Sequence, residues 1–119
     1  MPTEQQHVDR ARANESFARS LSTIEPIQAA WRVTAHFYAA LHYVEAVLVR
    51  IGKPTTTHGQ RRQALTVERE VRGVRAKYGT LEDTARAARY DPGANIAILR
   101  DLQQICDLSD EIRKSLGFS

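Results

Sequence analysis

Cysteine is nearly absent: Cys106 stands alone, so no disulfide can form within the chain, and a reducing, cytoplasmic setting is the expectation. The six glycines and four prolines are scattered, and none of them build the Gly-rich turn that cradles phosphates. No stretch alternates apolar and polar residues with period two, and clusters of β-branched residues are missing, which excludes a sheet protein. The opening MPTEQQHVDRARANES has no apolar segment, so a signal peptide is not expected. No long apolar run escapes interruption by arginine, histidine or acid, which argues against a membrane span.

What is present is a run of helix formers, IQAAWRVTAHFYAALHYVEAVLVRI, over residues 27–51. Between Phe37 and Ile51 the polar side chains are Tyr38, His42, Tyr43, Glu45 and Arg50, and Gly52-Lys53-Pro54 closes the run. A helix apolar on nearly every side must be wrapped by other helices. The chain therefore reads as a single all-α domain over residues 1–119, an up-and-down bundle of four to five helices. Thr3 with Gln6 reads as a capping box opening a peripheral helix to about Leu21, with Val8, Ala11, Phe17 and Ala18 as its sparse apolar positions. Pro26 suits the first turn of the central helix, and residues 26–117 form the bundle core. Thr57 and Gln60 repeat the capping pattern for a third helix over 58–78, carrying a stripe of Val67, Val71, Val74 and Tyr78. Gly79-Thr80 predicts a break before a short helix over 81–90. Asp91-Pro92 opens a last amphipathic helix ending at Gly117.

Charge is uneven. Residues 58–89 hold eight Lys and Arg against four Asp and Glu, so the positive excess lies in one region. On a continuous helix over 58–78, Arg61, Arg62, Arg69 and Arg72 fall within about 100° of one another, roughly opposite the valine stripe. Arg86 and Arg89 extend that surface, with His58 and Tyr90 at its rim. Guanidinium groups grip phosphates through paired N–H donors, so the face suits RNA or a nucleotide, although a solvated helix face has the same composition. A second feature is the line of Ala35, Ala39 and Ala46 on the central helix. Small residues admit a close neighbour, either the last helix or the same helix of a second copy, and in a homodimer Tyr38, His42 and Glu45 lie at the seam. Glu4-x-x-His7 is the single instance of the metal-binding Glu-x-x-His pattern, so neither a metal nor another cofactor is expected. Cys106 sits on the apolar stripe of the last helix and reads as a core residue.

Three islands in order resemble the HEPN family of small helical domains. These are Phe37-Tyr38-Ala39-Ala40-Leu41-His42 with Glu45-Ala46-Val47-Leu48; Thr57-His58-Gly59-Gln60-Arg61-Arg62; and Arg86-Ala87-Ala88-Arg89-Tyr90-Asp91 followed by a helix ending Ile112-Arg113-Lys114-Ser115-Leu116-Gly117. The resemblance implies a bundle that usually dimerises. It includes metal-independent ribonucleases, many in toxin–antitoxin or defence systems, and non-catalytic members that bind nucleotides or partner a nucleotidyltransferase. The ribonucleases carry Arg followed after four to six residues by His, and this chain has no such pair. The expectation is a non-catalytic module that binds RNA or a nucleotide through His58, Arg61, Arg62, Arg69, Arg72, Arg86, Arg89 and Tyr90. The alternatives are a divergent ribonuclease using Arg50 and His58, and a structural antitoxin-like subunit covering a protein partner encoded nearby.

Overall fold

The computed structural model describes residues 1–119 and contains helices and no strand. The central segment is one unbroken helix, α2 (Pro26–Arg50), preceded by α1 (Glu4–Ser20) and followed by α3 (His58–Val67), α4 (Arg75–Tyr90) and α5 (Asn95–Ser115). Single 3₁₀ turns at Arg72–Val74 and Pro92–Ala94 lead into α4 and α5. At 1.5 Å per residue α2 is about 37 Å long, close to the 40 Å long axis of the molecule. It is wrapped as its composition requires, with Val33, Phe37, Ala40, Val44 and Leu48 fully buried against α4 and α5. Burying each of the larger side chains stabilises the fold by roughly 1.5–3 kcal/mol. Side-chain pairs fix the directions. Ala88 and Arg89 lie beside Ile27 and Trp31 while Tyr78 meets Phe37, so α4 runs against α2. Lys77 pairs with Glu111, so α5 runs against α4 and alongside α2. Glu4 meets Arg50 and Glu15 meets Tyr43, so α1 also runs against α2. The bundle is up-and-down, with α3 as a short corner piece.

Local signals act where they stand. Thr3 accepts from the Gln6 amide while the Gln6 side chain accepts from the Thr3 amide, the expected box. Pro26 occupies the first turn of α2, and its cap is Glu25, whose carboxylate accepts from the Ile27 and Gln28 amides. Thr57 caps α3 through the Gln60 amide, but the Gln60 side chain turns to Thr56 instead. Asp91 caps the 3₁₀ turn ahead of α5, and Gly117 follows α5 at φ +90°.

The third helix departs from expectation. It ends at Val67, the chain turns over Glu68–Val71, and α4 then continues through Gly79-Thr80 without a break. Val67 is exposed, whereas Val71, Val74 and Tyr78 are buried. A straight helix to Tyr78 would carry those three away from the core. Turning at Glu68, which ion-pairs with Lys53 at 3.0 Å, returns them to it. Thr80 caps nothing and donates back to the Ala76 carbonyl inside α4. In α1, Val8, Ala11 and Ala18 are buried as expected, but Phe17 faces solvent and the charged Glu15 is buried in its place.

Candidate nucleic-acid interface

At the corner where α3 crosses α4, two buried carboxylates organise the arginines. Glu45 of α2 accepts from Arg61 Nε at 2.8 Å and from the hydroxyl and amide of Thr55, which ties the loop after α2 to its last turns. Glu82 of α4 accepts from Arg62 Nε at 2.9 Å, and His58 Nδ1 lies 3.6 Å from its other oxygen. Removing a charge from water is tolerable only with such partners. This corrects two expectations. Arg61 is 7% exposed and is a structural partner of Glu45, and Glu45 itself, placed at a dimer seam, is buried inside the chain.

Between α3 and α4 a groove of about 340 Å³ opens, lined by Arg62 and Thr66 on one side and by Arg75, Tyr78, Gly79 and Arg86 on the other. Arg75, Gly79, Glu82 and Arg86 are spaced four, three and four apart, one line along α4. Gly79 leaves room at its centre, since a β-carbon there would meet nothing within 4 Å. Tyr78 is among the lining residues, but its hydroxyl is buried out of reach of solvent without a hydrogen-bond partner, and burial holds its pKa well above the usual phenolic value. Glu82 is already engaged by Arg62, and Asp83 reaches Arg86 only at 3.9 Å. Arg75 is exposed and has no carboxylate within 4.0 Å. The sequence reading missed Arg75 because it placed residue 75 inside a longer third helix. Arg69 and Arg72 are also exposed, but they lie in the turn after Val67, off the α3 face assigned to them.

Arg89 continues the α4 line one turn past Arg86, where its guanidinium lies over the rings of Tyr38 at 5.8 Å and Tyr90 at 5.5 Å. Tyr90 and Trp31 are exposed beside it. The alanine line has a different neighbour from either one expected. Ala35, Ala39 and Ala46 are buried by α1, on the side of α2 where His42 Nδ1 meets His7 Nδ1 at 3.0 Å and Arg32 donates to the Ala18 and Leu21 carbonyls. Burial holds His42 down to about 4, with His7 and nearby arginines adding to the effect. These alanines are therefore unavailable as a surface for a second copy. Nor does the fold join Arg50 to His58: Arg50 pairs with Glu4 at 3.0 Å and covers the Phe118 ring, while His58 is engaged with Glu82 and Arg61. Glu4 and His7 likewise turn to separate partners. No helix is long and apolar enough to cross a membrane. No family model, curated protein or solved structure matches the chain.

Proposed function

We propose that this chain is a HEPN-like, non-catalytic binding module that takes the phosphate backbone of RNA in the groove between α3 and α4. The observation that carries the reading is the pair Arg75 and Arg86 beside an open groove whose buried carboxylate, Glu82, is already paired with Arg62. Arg86 carries over from the set expected from sequence and Arg75 joins it, while Arg61 and Arg62 are held by the buried carboxylates Glu45 and Glu82. Fluorescence anisotropy with labelled single-stranded RNA tests the proposal. Two phosphate contacts, at Arg75 and Arg86, give a log–log salt slope of roughly −1.4, and the double substitution Arg75→Glu with Arg86→Glu weakens binding at least about tenfold at low salt. Absence of binding at low salt, or equal binding by the double variant, removes the groove from consideration.

A further inference from the structure

We infer that the groove runs on into a base-stacking platform built around Arg89, which makes unpaired, single-stranded RNA the ligand class. The inference rests on the groove reading above and adds to it the part of the ligand that the groove leaves unread. Of the eight Phe, Tyr and Trp residues, Trp31, Tyr38 and Tyr90 are exposed around this one arginine. Trp31 is 52% exposed and Tyr90 is 76% exposed, high values for rings that bury readily. Ile27, Ala30, Trp31, Arg89 and Pro92 line a shallow depression of about 310 Å³ beside them.

The charge pattern selects the occupant. An apolar helix from a protein partner would cover the rings, yet the half-buried cation of Arg89 stands at their centre with no carboxylate within 4.0 Å. The phosphates of a nucleic-acid strand supply a counter-charge to that cation; an apolar face does not. Arg75, Arg86 and Arg89 also lie on one line of α4, so a strand whose phosphates follow the groove arrives with its next bases at the rings. Bases paired in a duplex are stacked on one another and cannot lie on the exposed rings, so the platform accepts only unpaired ones.

Trp31 is the sole tryptophan and reports stacking directly. The full chain is titrated with a short oligoadenylate, with the same strand in a duplex, and with inorganic polyphosphate, which offers charge without bases. The expected result is quenching of Trp31 emission by oligoadenylate alone. The variant Tyr90→Ala, at an exposed position, lowers oligoadenylate affinity on the order of tenfold and leaves polyphosphate affinity and the salt slope unchanged. If the two ligands bind alike, the duplex binds as well as the single strand, or Tyr90→Ala changes nothing, the platform is overturned while the groove stands. Failure of every ligand to bind brings down the groove and the platform together. If light scattering shows that Tyr90→Ala converts a dimer to a monomer at unchanged RNA affinity, the patch is a protein interface and the inference is overturned.

Discussion

His36 shows what a single buried residue does to this bundle. It sits on α2 at 3% exposure, its two ring nitrogens have no hydrogen-bond partner, and burial followed by the nearby Arg32 charge lowers its pKa to about 4. The unfolded chain binds a proton near the ordinary value of 6.5, while the folded chain resists it down to about 4. Protonation therefore favours unfolding, and the stability contributed by neutral His36 is complete above that ordinary value and is lost as pH falls toward about 4. The slope is about 1.4 kcal/mol per pH unit for one such group, and His42, shifted the same way, adds to it. Urea unfolding followed from neutral pH to about pH 5 should show stability falling with acid, and His36→Leu should remove one histidine's share of the slope. A variant as steep as the parent would sink this account. Nothing local marks this position, because a histidine inside an apolar run is indistinguishable from its neighbour His42 until the packing partners are known.

Helix starts were legible because their causes are local. Thr3, Pro26, Thr57 and Asp91 act within three residues of themselves, and each stands at or beside a helix start. The end of α3 was not legible, because no glycine or proline stands at Glu68; the turn is decided by burying Val71 and Val74 and by the Lys53 ion pair from another loop. The same split governs where the arginines of the basic region fall. An angular wheel drawn over residues 58–78 is valid up to Val67 and meaningless beyond it, which misplaced Arg69 and Arg72 and hid Arg75. The alanine line marks a place where a neighbour can come close, yet one helix cannot say which neighbour approaches. Ala39 tests the answer, since it is fully buried where α1 lies on α2. Ala39→Leu should force the two helices apart and destabilise the protein by about 1–3 kcal/mol in thermal unfolding. A neutral or stabilising result would mean that the seam has spare volume.

Taken whole, the molecule has two interiors of different character. Twenty buried apolar residues join α2 to the later helices, and none of them comes from α1. Among the helices α1 packs chiefly on α2, across a seam of alanines that buries little area per residue, so polar side chains must supply much of its attachment. Glu15 is the chief of these. It accepts from the Tyr43 hydroxyl of α2 and from Arg113 of α5 at 2.7 Å, and with Arg19 at 3.5 Å it links three helices at one buried carboxylate. A buried charge with several donors holds geometry well and fails sharply when one partner is removed, at about 3–5 kcal/mol. Native-state hydrogen exchange should therefore find the α1 amides opening at lower free energy than those around Val44 and Leu48 of α2. Glu15→Gln, which keeps the shape and removes the charge, should widen that gap by exposing α1 first, with the core of α2, α4 and α5 still protected. Equal exchange free energies in α1 and the centre of α2 would show instead that the seam and the apolar core unfold as one unit, and that the charged node adds nothing separable to the attachment of α1.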